Sequence, residues 1–416
     1  MTRISIVGGG LGGVLAAFEA HRLGCRDIEL HERSGRLGGE ALPKVDHGVE
    51  LRDVDVRLGA RGDPIHDLLA WYGLAFDEVE AHGGSVSPSA SGGALFIEDF
   101  DGPALPCRGL ALAEPAGETL ADRIRAYPAE MQPALARYAQ WRLGDWIDEA
   151  DAEAAGAMGM AQVYPIGADV STLRELRRAD RLYHDLYALP GARDGRGPAA
   201  AAVPRDGFAA MFEACRRRLE ALDVVIHDTS LVSPHQAFET CAEDDMVVWT
   251  ADPTPLYRAA GLEAPKPARR PCAVYVFKAA FGRPAPFHIN NFTASGAVAR
   301  IFVYESRGQT LLAAECVAET PDAELRREIQ RLTAGFGGEA LALGEQVHAT
   351  VRSGALPSVE GARQLAELRR VLGQRTGGAF VLAPCDLARR PSAFAALGRA
   401  MAAAFEPSLA PAALRA

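Results

Sequence analysis

Ile4-Ser5-Ile6-Val7-Gly8-Gly9-Gly10-Leu11-Gly12-Gly13 decides the reading of this chain, together with Ile28-Glu29-Leu30-His31-Glu32 and Gly35-Arg36-Leu37-Gly38-Gly39. Ile4, Ile6 and Val7 form a short apolar run with no polar face, the pattern of a strand at the buried centre of a parallel sheet. Gly8 permits a tight turn, Gly10 lets the backbone approach a pyrophosphate, and Gly13 lets the next helix pack closely on the strand. Gly12 completes this glycine-rich turn. A helix predicted over residues 11–23 points its positive end at the phosphates. Gly24 ends that helix, and residues 28–31 read as the second strand. Glu32 then stands at the strand tip, where a carboxylate accepts the hydroxyls of an adenosine ribose. An acid there disfavours a 2′-phosphate, which leaves FAD or NAD ahead of NADP.

With 416 residues the chain can hold two domains with sizeable cores. Forty-four basic residues against 54 acidic ones give a net charge of −10, which argues against nucleic-acid partners and anionic membrane surfaces. Mean hydropathy is close to zero, and no apolar run reaches the ~18–20 residues of a membrane span. The first strand begins at residue 3, so no signal peptide is expected ahead of it. The seven cysteines are scattered without C-x-x-C spacing and read as reduced thiols of a cytoplasmic protein. No metal site is expected, because none of the ten histidines falls in an H-x-x-x-H or H-E-x-x-H pattern.

Further along, residues 44–57 read as one or two strands around His47-Gly48, and 64–73 as an amphipathic helix. Residues 83–118, rich in Gly, Pro and Ser, read as an irregular region or small sheet with one strand at 94–97. Three helices are expected over 120–126, 129–154 and 171–189, followed by a loop at 190–198. Pro204-Arg205-Asp206-Gly207 opens an amphipathic helix through Leu222, and strands follow at 224–227 and 246–251. An antiparallel region is expected from 272–281, 300–305 and 311–317, then a helix over 322–336. A helical stretch at 365–372, a strand at 379–382 and a helix over 392–405 close the chain.

This order of segments resembles the flavoprotein superfamily of flavin amine oxidases, protoporphyrinogen oxidase and phytoene-type desaturases, and in layout UDP-galactopyranose mutase-like proteins above all. Gly35-Arg36-Leu37-Gly38-Gly39 is similar to the extended fingerprint whose arginine and glycine pair line the flavin. Pro204-Arg205-Asp206-Gly207-Phe208 resembles the family's "P-x-G-G" segment before its central helix. Residues 223–232 are similar to the strand pair whose backbone meets the adenine side, and 244–253 to the segment where the chain leaves the cofactor domain. Ala299-Arg300-Ile301-Phe302-Val303-Tyr304-Glu305 and Gly354-Ala355-Leu356-Pro357 resemble mutase segments near substrate and flavin.

The resemblance implies an α/β fold: a glutathione-reductase-like FAD/NAD(P)-binding Rossmann domain with an interleaved α+β substrate domain. The cofactor domain is expected at 1–80, 203–262 and 351–416, and the substrate domain, with a helical insertion, at 81–202 and 263–350. FAD is the expected cofactor, held by Gly8, Gly10, Gly12, Gly13, Glu32, Arg33, Arg36, Gly38, Gly39, Val232 and Asp386. One departure stands out. After the last strand the family's glycine-acid pair is replaced by Ala383-Pro384-Cys385-Asp386; Pro384 lacks a backbone donor, and only Asp386 stands for the acid. Asp53-Val54-Asp55-Val56-Arg57 likewise replaces a glycine-rich turn, and no mutase-type histidine-phenylalanine-histidine segment lies near it.

Flavin enzymes leave the redox step to the ring, so the protein's task is orientation and electronic tuning. Arg300 is the candidate for binding a substrate anion, against a plain solvent-facing strand arginine. His288, beside Asn290 and Asn291 in a polar tip between strands, reads as a base or donor, or as a turn residue. Tyr183 and Tyr187, four apart on one predicted helix face near Arg177 and Arg181, suit a stacked nucleotide base or simple core packing. Cys385 reads as an unlinked buried thiol. The expected activity is FAD-dependent removal of a hydride from a small polar or amine-bearing metabolite. Two other readings remain open: a mutase-like flavoenzyme acting on a sugar nucleotide without net redox change, and a flavin-less binding protein that keeps the fold. The partner is a small molecule, with a homodimer left open.

Overall fold

The computed structural model describes residues 3–46, 48–52, 58–195, 199–242, 245–265, 268–336, 341–384 and 391–405. Its first sheet has five parallel strands in the order Val225–Asp228, Ile28–Glu32, Ile4–Val7, Met246–Trp249 and Phe380–Leu382. Ile4–Val7 sits in the middle and all four of its residues are buried, as its unbroken apolar run requires. Helix Leu11–Arg22 covers one face of this sheet and buries Val14, Leu15, Phe18 and their neighbours. The last helix, Pro391–Phe405, lies beside it; Phe394, Leu397 and Met401 join the same core.

The second sheet has nine strands and is mostly antiparallel. Along its main path the order is Ala342–Leu356, Ala268–Ala280, Gln309–Cys316, Val298–Ser306, Phe287–Asn291, Phe76–Pro88, Ala199–Pro204 and Leu58–Gly59, with Ala94–Glu98 added alongside Phe76–Pro88. Helix Asp322–Thr333 packs on one face through Leu325, Ile329 and Leu332 against Ile301, Val303, Leu312 and Ala314. A helical layer built from residues 120–189 forms a separate core around Leu120, Leu135, Tyr138, Tyr187 and Phe292. The chain therefore alternates between the sheets, giving the α/β architecture with an interleaved second part. Positions 80 and 351, expected as domain boundaries, lie inside strands Phe76–Pro88 and Ala342–Leu356.

Three local expectations are corrected, and one is sharpened. Residues 83–88, in the stretch expected as an irregular region or small sheet, end a thirteen-residue strand that pairs with Ala94–Glu98, and the space beside both glycines is filled. A Cβ on Gly84 would stand 2.2 Å from Cε1 of Phe336, and one on Gly83 2.6 Å from Oδ1 of Asp101. The helix expected over 129–154 stops at Leu143, where Gly144 takes φ +73°, and a 3-10 turn, Gly144–Asp148, follows. The helix expected over 171–189 breaks at Asp180, which is extended and turns its carboxylate to the Leu182 N–H to start a new helix, Arg181–Leu186. His288, Asn290 and Asn291 form no tip: Phe287–Asn291 is a fully buried strand inside the large sheet. Its polar residues mislead because a strand buried on both faces need not look apolar when neighbours satisfy its side chains. Strand Ala342–Leu356 and helix Pro234–Ala242 were absent from the sequence reading altogether.

The Gly84–Phe336 contact yields a direct test. Gly84→Ala forces Phe336 or the strand to shift and is expected to cost about 1–3 kcal/mol, read as a lowered thermal midpoint. An unchanged midpoint would show that the two do not pack as described.

Candidate functional site

The glycine turn is shaped by contacts that allow no side chain. A Cβ on Gly13 would sit 1.8 Å from the Gly8 carbonyl oxygen, and one on Gly9 2.8 Å from the Glu32 side chain. Gly8 has φ +107° and packs on Thr250, whose hydroxyl donates to the carbonyls of Val7 (3.1 Å) and Gly8 (2.9 Å). Glu32 is 7 % exposed and accepts from Gly9 N–H (2.8 Å) and Ser34 N–H (2.6 Å), one on each oxygen. Each oxygen keeps a second lone pair for a ribose hydroxyl.

The second glycine pair closes on the first. Gly38 donates its N–H to the Gly9 carbonyl (2.8 Å) and bridges Gly10, while a Cβ on Gly39 would come 3.0 Å from Gly10 Cα. Gly10 differs from its neighbours: a Cβ there meets only Gly39 Cα, at 3.9 Å. Its open side lies at the start of helix Leu11–Arg22, whose N-cap carries no side-chain hydrogen bond. An open, uncapped, positively polarised helix start beside a buried ribose-type carboxylate fits a dinucleotide pyrophosphate. Gly12 lies in the first turn of that helix, Arg33 and Arg36 are exposed beside the loop, and Val232 is half-buried. Asp386, Cys385 and His47 lie outside the described residues, as do positions 53–57.

A strap joins this cradle to the large sheet. Glu50, 6 % exposed, accepts from the N–H groups of Phe208 (3.1 Å) and Ala209 (2.7 Å), capping helix Phe208–Glu220 from a distant segment. Gly207 has φ +87°, and a Cβ on it would lie 2.6 Å from Glu50 Oε1. The Tyr304 hydroxyl donates to the Glu50 carbonyl (3.1 Å) and accepts from Arg52 N–H (3.0 Å). Arg52 lies over both the Phe208 and Tyr304 rings, with its guanidinium carbon 4.6 and 4.7 Å from their centroids. Beyond Tyr304 the stack continues through Phe302 (5.1 Å) to His288 (4.5 Å). His288 is thus a ring of this stack, with an exposure of 2 %.

The next row across the sheet is polar. Ser85, Asn290, Arg300 and Glu315 stand side by side on four neighbouring strands. Arg300 Nε donates to Asn290 Oδ1 (3.1 Å), and Asn290 donates to the Asp101 carbonyl (2.8 Å). Ser85 is fully buried, and its hydroxyl has no hydrogen-bond partner in the described structure. Arg142, from helix Gln132–Leu143, reaches Glu315 at 3.0 Å, and Arg352 reaches it at 3.3 Å. Burial alone would push the Glu315 carboxyl up, but Arg300, Arg142 and Arg352 bring it down to about 2. Burial also works against the charge on Arg142; the Tyr138 hydroxyl and Glu315 outweigh it and hold the guanidinium above its ordinary value. Three guanidinium groups around one carboxylate leave a surplus of positive charge.

Of the sequence candidates, Arg300 is therefore embedded in a polar row and not a solvent-facing strand residue. Tyr183 and Tyr187 meet as a core-packing pair, with ring centroids 6.1 Å apart, although Tyr187 follows the end of helix Arg181–Leu186 in an extended conformation; it is fully buried in the helical core. Arg177 pairs with Asp194 and Arg181 with Asp185. Ser85, Arg142, Glu315, Arg352, Glu50 and Arg52 were missed. One signal was legible: Glu315 interrupts the apolar run Leu311-Leu312-Ala313-Ala314, as a charge does only where something pairs with it.

Residues 6–62 match a family model described as an NAD(P)-binding Rossmann-like domain. No curated protein sequence matches the chain. Among solved structures, a reduced UDP-galactopyranose mutase is similar with a TM-score of 0.65 at 12 % identity, over 98 % of this chain and 94 % of that one. A putative protoporphyrinogen oxidase from an Exiguobacterium species has a TM-score of 0.52 at 15 % identity, over 98 % and 99 %. An engineered putrescine oxidase also has 0.52 at 15 %, over 97 % and 99 %. The chain shares the fold of these proteins along nearly its whole length.

Glu315 makes stability depend on acid. Its carboxyl titrates near 2 in the folded chain, below its ordinary 4.5, so its contribution is complete above about pH 5 and is lost as the pH falls toward 2. Glu315→Gln leaves the arginines uncompensated and is expected to cost on the order of 3 kcal/mol at neutral pH. The gap between the two proteins should close in denaturant titrations carried toward pH 2; a gap constant with pH would contradict the pairing.

Proposed function

We propose that this chain is an FAD-dependent oxidoreductase that removes a hydride from a small polar metabolite carrying an anionic group, amines being among the bonds it would oxidise. The observation that carries the cofactor reading is the Gly10 opening, bounded by Gly39, the start of helix Leu11–Arg22 and the Glu32 carboxylate. In this reading the turn at 8–13 holds the pyrophosphate, Glu32 the ribose, and Arg36, Gly38 and Gly39 the flavin side, with Arg33 and Val232 flanking the adenosine. Residues 1–80, 203–262 and 351–416 would supply the cofactor part. Bound FAD would accept the hydride equivalent. The chain's own residues bind and orient: Arg300, with Arg142 and Arg352 behind it, receives the anion. The His288–Phe302–Tyr304 stack forms an apolar wall beside them.

A second reading, a mutase-type enzyme acting on a sugar nucleotide with no net redox change, is favoured by the same three arginines, which suit a pyrophosphate. The likeness to the mutase structure accords with it.

The purified protein is expected to be yellow, releasing FAD on denaturation; a colourless protein that takes up no FAD would overturn both readings. Gly10→Ala separates cofactor from fold. The added methyl meets no protein atom closer than 3.9 Å, so the melting temperature of the flavin-free chain should hold while FAD retention falls at least roughly tenfold. Glu32→Ala should also weaken retention, though it removes two backbone hydrogen bonds as well. Arg300→Met should raise KM far more than it lowers kcat if the arginine receives the anion. Anaerobic bleaching of the flavin by substrate identifies the oxidase; turnover only after prior reduction of the flavin identifies the mutase type.

A further inference from the structure

On the parallel sheet, on the strand that carries Glu32, three metal-ligating side chains from two strands lie close together. Glu29 and His31 project from the same face of strand Ile28–Glu32, and His227 stands opposite His31 on strand Val225–Asp228. The imidazoles stack with centroids 4.6 Å apart and planes 14° from parallel. Nε2 of His31 lies 3.6 Å and Nε2 of His227 3.7 Å from the same oxygen, Oε2 of Glu29. All three ligand atoms fall within 4.8 Å of one another.

We propose that Glu29, His31 and His227 form a binding site for a divalent transition-metal ion of the zinc type, with solvent completing the coordination. The distances suit such an ion. Ligand bonds of about 2.0–2.1 Å in a tetrahedron place donor atoms roughly 3.4 Å apart, a few tenths of an ångström inside the observed nitrogen–oxygen separations. Both rings must turn out of the stacked arrangement for their Nε2 lone pairs to meet at one ion.

The surroundings already orient the donors. Nδ1 of His31 is 3.1 Å from the Ser230 hydroxyl, which leaves Nε2 as the nitrogen turned toward Glu29. Nε2 of His227 has no hydrogen-bond partner in the described structure. The other Glu29 oxygen is held by Arg3 at 3.5 Å, so Oε2 is the one left to the histidines. Arg3 is itself neutralised by Asp245 at 2.7 Å, which limits its repulsion of a cation. Glu29 and His31 side chains are 25 % and 15 % exposed and His227 40 %, while Nε2 of His227 is itself buried, so an ion enters only as the rings turn.

Bound there, the ion would tie the edge strand Val225–Asp228 to its neighbour directly behind the Glu32 tip. It plays no part in the proposed flavin chemistry, so this site and that reading stand or fall separately. The test uses chelator-stripped full chain titrated with Co²⁺ and then displaced with Zn²⁺. The expected result is one Co²⁺ per chain with a visible band of low coordination number, lost on Zn²⁺ addition. Affinity should fall at least roughly tenfold in His227→Asn and in Glu29→Gln. Zn²⁺ should raise the melting temperature of the parent protein and of neither variant. No stoichiometric Co²⁺ binding, or equal affinity in whichever variants keep the parent circular dichroism spectrum, would overturn the assignment.

Discussion

The Glu50 carboxylate holds the two halves of this molecule in register. Its oxygens cap helix Phe208–Glu220, which packs in the core of the parallel sheet, while the Glu50 backbone carbonyl accepts the Tyr304 hydroxyl from the large sheet. Charged caps at helix starts contribute about 0.5–2 kcal/mol, but the geometric effect is larger than that figure suggests. The same strap inserts Arg52 between Phe208 and Tyr304, so the sheet face that carries His288 and Arg300 cannot slide relative to the helix that supports Gly38. Phe212 of that helix packs where a Cβ on Gly38 would be, at 2.8 Å. Cradle and polar row are thus positioned by one chain of contacts.

The parallel-sheet half was legible because its rules are local. An apolar run, glycines at fixed offsets and an acid at a strand tip each act on neighbours in sequence, and Ile4–Val7, Leu11–Arg22 and Ile28–Glu32 appear where those rules place them. The large sheet was harder to read because its reasons are remote. Gly83 and Gly84 look like turn residues until Asp101 and Phe336 are seen filling the space beside them. Strand Ala342–Leu356 is much exposed and carries polar residues on both faces, so no alternation marks it. The helical layer failed differently: its pattern was right, but Asp180 serves as the end of one helix and the cap of the next.

The site shows the same division. The positions of Gly10 in the turn and of Glu32 at the strand tip follow from spacing. Arg300 was recognised as a strand arginine in a suggestive segment, but what gives it meaning comes from other elements: Asn290 and Glu315 on adjacent strands, Arg142 from a helix and Arg352 from the edge strand. His31 and His227 illustrate the limit most sharply. No spacing rule joins residues so far apart, yet parallel pairing sets their rings face to face.

The central strand Ile4–Val7 takes one neighbour, Ile28–Glu32, almost at once and the other, Met246–Trp249, only after some 242 further residues. At synthesis rates of about 5–20 residues per second, that gap lasts on the order of 10–50 s. Throughout it, one edge of the strand that is most buried in the finished protein stays open, with apolar side chains and unpaired amides together. The topology that places the cradle at the heart of the sheet therefore also sets a schedule. The nascent chain must shield its own beginning until its second half arrives.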